Sequence, residues 1–255
     1  MNIPELKDVN SVDTFVFSMD IDWASDIVIE KAVNYFKDCG IPITVFCTHQ
    51  SEYIQSLINM QGISYGIHPN FIFPSSQGGT RMEVIDYCCK AFPKVKAFRA
   101  HRWYADNDIY EELYKRGIRY ESNLCTLMSL IPAYVHRSGM LSFPTFFEDG
   151  AYLYHKMDLT FNNIKSYFLQ SGIKVINVHP MHLVLNTPYF SYMREIKDTL
   201  TRDEWNGFDF CDIYKYENTK RIGIRDFVSE IIEFASKKQY SLYTLDELYN
   251  NAKGR

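Results

Sequence analysis

The residues able to do chemistry in this chain are mostly aspartate and histidine, and they come in short clusters. Asp20-Ile21-Asp22-Trp23 places two carboxylates two residues apart. Residues at that spacing in an extended chain point to the same side, so both can face one cavity. Like charges that close are costly unless a cation lies between them or one carboxyl stays protonated. A metal ligand beside a general base meets that demand; an Asx turn with one aspartate exposed meets it too. His68-Pro69-Asn70 follows Tyr65-Gly66-Ile67 and offers an imidazole, either a metal ligand or a hydrogen-bonded core residue. Asn177-Val178-His179-Pro180-Met181-His182 is the densest cluster. One of its histidines can protonate a departing amine, because imidazole titrates near working pH. Both can instead bind metal, and the spacing does not separate the roles. Arg99-Ala100-His101-Arg102 brings a guanidinium that can grip Asp20 in bidentate fashion or form a purely structural ion pair. Glu148-Asp149-Gly150, after Phe143-Pro144, adds acids or a solvated turn. His136 and His155 have no such company and read as structural or surface residues.

Short β-rich runs must position these groups. Strands are expected at Thr14–Met19, Ile43–Thr48, Ser64–His68, Val95–Arg99, Gly117–Ser122, Met140–Phe143, Lys174–Val178 and Ser241–Thr244. Between them, Ser25 caps a helix over Asp26–Asp38 whose Val28, Ala32, Tyr35 and Phe36 recur at helical spacing. Gly40 and Pro42 end it. Further helices are expected at Glu52–Met60, Arg81–Ala91, Asp108–Arg116, Asn162–Gln170 and Ile224–Lys237. Alternation of this kind argues for a parallel sheet. The chemical clusters then fall at the C-terminal ends of strands, the face on which α/β barrels build active sites. Asn186 to Thr219 reads as a long irregular loop, helical in part at Tyr192–Leu200, and as a lid or substrate wall.

Composition bounds the reading. With 255 residues, 46% of them hydrophobic, the chain can bury a large core, and residues 1–255 read as one α/β domain. A net charge of −4 without a long basic stretch excludes nucleic acid as a partner. Met1 to Asn10 is polar, with no apolar secretory segment, and no apolar run reaches the roughly 20 residues of a membrane span. With no secretory segment read at the N-terminus, the six cysteines, none in a C-x-x-C pair, read as reduced cytosolic thiols, and the chain as cytoplasmic.

In this order the clusters resemble the polysaccharide deacetylase (NodB-homology, carbohydrate esterase family 4-like) superfamily. Asp20-Ile21-Asp22 looks like its first motif and Gly66-Ile67-His68-Pro69-Asn70 its second. Phe98-Arg99-Ala100-His101 resembles the Arg-containing third, Phe147-Glu148-Asp149 the fourth, and Val178-His179-Pro180 the final His motif. Lys37 to Phe46 and Tyr243 to Leu248 resemble the helix-to-second-strand segment and the C-terminus. The His-Pro-x-His and His-Pro-Asn-Phe forms are similar to a subgroup linked to O-antigen and surface-polysaccharide biosynthesis. The resemblance implies a distorted (β/α) barrel that hydrolyses an N- or O-acetyl group on a sugar or glycan precursor. Asp22 and His68 would hold a divalent metal, zinc by preference. Asp20 would be the base, steadied by Arg99, and His179 the acid. Asn70, His101, His182, Trp23 and Asp149 would contact substrate. One departure stands out: after His68 no histidine occurs until His101, and Gln77 is a poor zinc ligand. The third metal ligand would have to come from His101 or His182; otherwise the metal is weak, different or absent. Two rival readings are a catalytically silent barrel that binds glycan or a partner protein, and an amidohydrolase-like site centred on His179 and His182.

Overall fold

The computed structural model describes residues 6–58 and 60–253. Its strands are β1 (Thr14–Asp20), β2 (Ile43–Cys47), β3 (Ile63–Ile67), β4 (Ala97–Phe98), β5 (Tyr120–Glu121), β6 (Tyr134–Val135), β7 (Leu141–Ser142), β8 (Thr145–Glu148), β9 (Ile173–Val178) and β10 (Ser241–Leu242). They form one sheet in the order β6-β7-β5-β4-β3-β2-β1-β9-β8, with β10 beside the start of β1. Every pairing is parallel except β6 with β7. The sheet curls into a half-barrel, and the segment after β5 bridges its ends. Thr145 N donates to Leu124 O (2.7 Å), Thr126 N to Thr145 O (2.9 Å) and Met128 N to Phe146 O (2.6 Å).

Each strand sorts its residues by face. On β1, Phe15, Phe17 and Met19 pack outward against the helices, whereas Val16, Ser18 and Asp20 alternate inward. The inward residues change character along the barrel axis. At the N-terminal end Val16, Phe46, Ala97, Tyr120, Leu141 and Val175 form an apolar layer, plugged by Leu245, Leu248 and Tyr249 of the C-terminal helix. At the other end stand Ser18, Asp20, Arg99, Ser122, Thr145 and Asn177, all buried. Gly66 makes the apolar layer possible: a Cβ there would lie 2.7 Å from the Phe46 ring and 2.9 Å from Ala97 Cβ. Burying a side chain like Phe46 contributes roughly 1.5–3 kcal/mol, which a Gly66 side chain would put at risk.

The helices Asp26–Asp38, Arg81–Ala91, Asn107–Lys115, Phe161–Phe168 and Ile224–Lys237 lie where sequence periodicity expects them. The helix expected at Glu52–Met60 stops at Leu57, and Asn59 within it lies outside the described residues, as do residues 1–5 of the polar N-terminus. Several expectations are corrected: the strands at Val95–Arg99, Gly117–Ser122 and Ser241–Thr244 shorten to Ala97–Phe98, Tyr120–Glu121 and Ser241–Leu242. The strand at Met140–Phe143 shrinks to Leu141–Ser142 on one edge of the sheet, and β8 forms two residues later on the other edge. Pro144 has no N–H for a ladder, so the chain leaves β5's neighbour there and rejoins beside β9. The stretch Asn186 to Thr219 is not irregular: it holds the helices Tyr192–Lys197, Arg202–Asn206 and Phe210–Tyr216. Thr201 and Asp209 cap the last two through capping boxes, which their short lengths hide from periodicity. The helices Asp149–Tyr154 and Pro180–Val184 start at strand ends and are likewise too short to show in the periodicity. All six cysteines are free, and no helix among the described residues is long and apolar enough to cross a membrane.

Candidate active site

A buried polar network forms the floor of the cup at the strand C-termini. Arg99 is completely buried and spends its whole fork. Nε donates to Ser122 O (2.6 Å). Nη1 donates to Asp20 Oδ1 (2.8 Å), Ser18 Oγ (3.0 Å) and Asn177 Oδ1 (2.5 Å). Nη2 donates to Ser122 Oγ (2.9 Å) and Thr145 Oγ1 (3.1 Å). Phe46 lies below the guanidinium, 4.3 Å from ring centroid to Cζ. The bidentate grip expected on Asp20 is therefore replaced by a shared one. Arg99 holds Oδ1, and Asn177 Nδ2 donates to Oδ2 at 2.9 Å. Four strands compete for the same guanidinium, so no single carboxylate takes both of its arms. Ser18 and Asn177 sit two residues before Asp20 and His179 on their strands. Strand alternation is the signal that places them in the cup.

Above this floor, two trios of aspartate and histidine each bring one ligand atom per residue within 4.8 Å of the others. In the first, Asp22 Oδ1 lies 3.2 Å from His68 Nε2 and 3.1 Å from His101 Nδ1. Burial alone would raise the Asp22 pKa, but the bonds to His101 and His68 and the charge at His179 hold it well below the usual carboxylate range. The backbone is bent to present it. Asp22 (φ 41°) and Trp23 (φ 58°) are both left-handed, as are Arg102 (φ 53°) and Trp103 (φ 61°) after His101. Such non-glycine conformations cost of order 1–3 kcal/mol each and persist where the surroundings demand them. Trp23 N donates to Thr48 Oγ1 (3.2 Å), and its ring stands edge-on to His101 at 5.2 Å. These donor atoms, two imidazole nitrogens and one carboxylate oxygen at 3.1–3.2 Å contacts, fit a small divalent cation. His68 Nδ1, buried and without a hydrogen bond, faces Asp20 Oδ1 at 4.0 Å.

The second trio is occupied by its own bonds. Asp149, fully buried, accepts from His179 Nδ1 (2.6 Å) and Gly150 N (2.8 Å) on Oδ1, and from His179 N (2.7 Å) on Oδ2. These bonds fix the orientation of the His179 ring. His179 Nε2 then points into the cup, 3.7 Å from Asp22 Oδ2. Burial alone would lower the His179 pKa, but Asp149, Asp22 and Glu148 raise it well above the ordinary value. His182 goes the other way. Burial, with His179 and Lys197 adding to it against Asp149, pushes it down to about 4. His182 is thus neutral at neutral pH, its Nδ1 buried and unbonded, its ring edge-on to His179 at 5.8 Å. The two imidazoles thus sit in opposite electrostatic environments.

Two other motif residues have mainly local work. Asn70 Oδ1 accepts from Ile72 N (3.0 Å) within its own loop. Gln77 is buried and bonded at both ends of its amide: Oε1 accepts from Asn70 N (2.6 Å), and Nε2 donates to Thr48 O (2.8 Å) and His68 O (3.1 Å). It ties the His68 loop to the end of β2. Each trio also rests on a buried glutamate. Glu121 accepts from Asn123 N, and Asn123 Oδ1 in turn accepts from Ala100 N (2.8 Å), next to His101. Glu148 caps the helix at Asp149, accepting from Gly150 N (3.0 Å) and Ala151 N. Burial pushes both glutamates up to about 7.

A curled parallel half-barrel with its ionisable groups gathered at the C-terminal strand ends is the architecture of NodB-type deacetylases. The chain belongs to the WbmS-like polysaccharide deacetylase family, whose model matches residues 17–197. It is similar to a crystal structure from Bordetella bronchiseptica assigned as a polysaccharide deacetylase involved in O-antigen biosynthesis. That pair has 22% identity and a TM-score of 0.77, covering 92% of this chain and 95% of that one. A structure from Mycobacterium smegmatis assigned as a polysaccharide deacetylase aligns with a TM-score of 0.50 at 14% identity, over 95% and 96% of the two chains. No curated protein matches the chain significantly.

Proposed function

We propose that this chain is a divalent-metal-dependent deacetylase acting on an N- or O-acetyl group of a sugar in surface-polysaccharide (O-antigen) biosynthesis. The observation that carries the reading is the meeting of three parts in one cup: an open Asp22–His68–His101 trio, a braced Asp20, and a charged His179 facing them. Asp22, His68 and His101 would hold a cation such as zinc, which when bound would supply Lewis acidity toward the acetyl carbonyl and the attacking water. Asp20 takes the proton of the attacking water. Both of its oxygens are held, yet each keeps a second lone pair for that proton. Arg99 and Asn177 fix the carboxylate so that no reorganisation is needed at the moment of transfer. His179 gives its Nε2 proton to the departing amine nitrogen or alcohol oxygen, while Asp149 steadies the imidazolium from the other side. One proton leaves water and one reaches the leaving group, giving acetate and the free sugar.

The missing second histidine favours a silent barrel; in support of the deacetylase reading, His101 offers an imidazole from the turn after β4. The test is metal content and acetate release together. Wild-type protein incubated with zinc or cobalt is expected to hold about one equivalent and to release acetate from acetylated sugars. Asp20→Asn is expected to abolish the release. Wild-type protein that takes up neither ion, or that is loaded yet releases no acetate from any acetylated sugar, would end the deacetylase proposal.

A further inference from the structure

The stretch from Asn186 to Gly223 forms a wall beside the cup. Its two ends are stapled to each other and to the helix Ile224–Lys237. Asn186 Nδ2 donates to Asp226 Oδ2 (2.8 Å), Asn186 Oδ1 accepts from Arg225 N (3.0 Å), and Asn218 Nδ2 donates to Asn186 O (2.9 Å). Gly223 is required for this closure, since a Cβ there would fall 2.0 Å from Asn186 O. The far side of the wall is pinned to the catalytic turn: Ser25 Oγ, three residues after Asp22, donates to Phe208 O at 2.5 Å. Phe208 is fully buried, and Trp205 packs against it at 5.6 Å.

On this braced wall Lys197 lays its ammonium 4.5 Å from the centroid of Trp205. No carboxylate lies within ion-pair distance of it among the described residues. Through Trp205 and Phe208 it is tied to Ser25 at the turn that carries Asp22, on the side of the cup. A cation on an aromatic face, held beside the cup with no carboxylate in ion-pair contact among the described residues, is a receptor for an anion. We propose that Lys197 on Trp205 is the anion-recognition point of the substrate subsite, so that the preferred substrate is an acetylated sugar bearing a carboxylate or a phosphate. The identity of the sugar as an acetylated one rests on the deacetylase reading; the anion preference does not.

The experiment is binding by titration calorimetry on the full chain at low and high salt. Its probes are N-acetylglucosamine, the corresponding 2-acetamido uronic acid, and N-acetylglucosamine 1-phosphate. Wild-type protein is expected to bind at least one charged probe tenfold or more tightly than the neutral sugar, with the gap closing in high salt. Lys197→Ala is expected to erase the gap, Lys197→Arg to keep it, and Trp205→Phe to retain most of it. Whichever charged probe wins names the source, ring carboxylate or phosphate. Equal binding of all three by the wild type, or a preference unchanged in Lys197→Ala, overturns the proposal. So does a Lys197→Ala variant whose only change is metal affinity, because Lys197 would then merely balance the acids of the cup. Lys197-dependent anion binding in a protein that releases no acetate would leave this inference standing and end the deacetylase one.

Discussion

Asp22, His68 and His101 on one flank of the cup, and Asp149, His179 and His182 on the other, are alike in composition and unlike in what their atoms already hold. In the first trio, among the described residues, Asp22 Oδ1 meets just the two imidazoles while Oδ2 stands 3.7 Å from His179 Nε2, on a left-handed turn of the backbone. In the second, three N–H groups already occupy the aspartate, and one of them belongs to the imidazole it orients. A cation entering the second trio would have to displace a proton from a 2.6 Å contact. A cation entering the first meets nitrogen and oxygen lone pairs at spacings that suit it. Ligand-type residues within reach of one another do not make a metal site; the bonds they already make decide. That also disfavours the amidohydrolase-like arrangement centred on His179 and His182.

The largest expected effect breaks the comparison outright. Asp22→Ala and His101→Ala should lose bound metal and at least about a thousandfold in acetate release, while Asp149→Ala and His182→Ala keep the metal. Elemental analysis of the four purified variants checks this, and equal loss from both trios would make them one site. Asp149→Asn comes next. It should retain metal and lower kcat by about a hundredfold or more, with KM little changed, because His179 loses its orientation and its charge support. A kcat within a few-fold of wild type would take the acid role away from His179.

The glutamates beneath the trios carry a pH signature. Glu121 is pushed to about 7 by burial, with Ser142, the Asn123 amide and Arg99 pulling the other way. Tyr110 and Tyr134 also face it. A raised carboxyl pKa favours the folded state while the group is protonated. Its contribution is therefore complete below the unfolded value near 4.5 and is lost as pH rises through about 7. Glu121→Gln should gain about 3 kcal/mol over wild type at pH 8 and almost nothing at pH 4. Urea unfolding at the two pH values measures the difference, and an equal gain at both would point to packing instead of charge. The smallest effect concerns the missing histidine. Gln77→His should bind no extra metal and should lose about 1–3 kcal/mol of stability, since it strands the backbone groups that Gln77 now satisfies. Tighter zinc binding in that variant would return the third ligand to the second-motif loop.

Much of this was legible in the chain itself. The Thr-Phe-Val-Phe-Ser-Met run, the Ser25 cap and the Gly40-Ile41-Pro42 stop are local signals, and they set β1, the first long helix and β2 without help from distant residues. Parallel alternation put Asp20, His68, Arg99 and His179 at one end of the sheet, and the structure gathers them there. What the chain could not show is the outcome of competition among residues far apart in sequence. Whether His101 or His182 joins Asp22 depends on the turn after β4, held by Asn123 from the next strand. Whether Asp149 meets substrate or His179 depends on β8 pairing with β9, which brings together residues 30 apart. Sequence spacing determines which face a side chain takes on its own strand; the curl of the sheet determines which partner reaches it first, and a buried polar group keeps the partner that satisfies it.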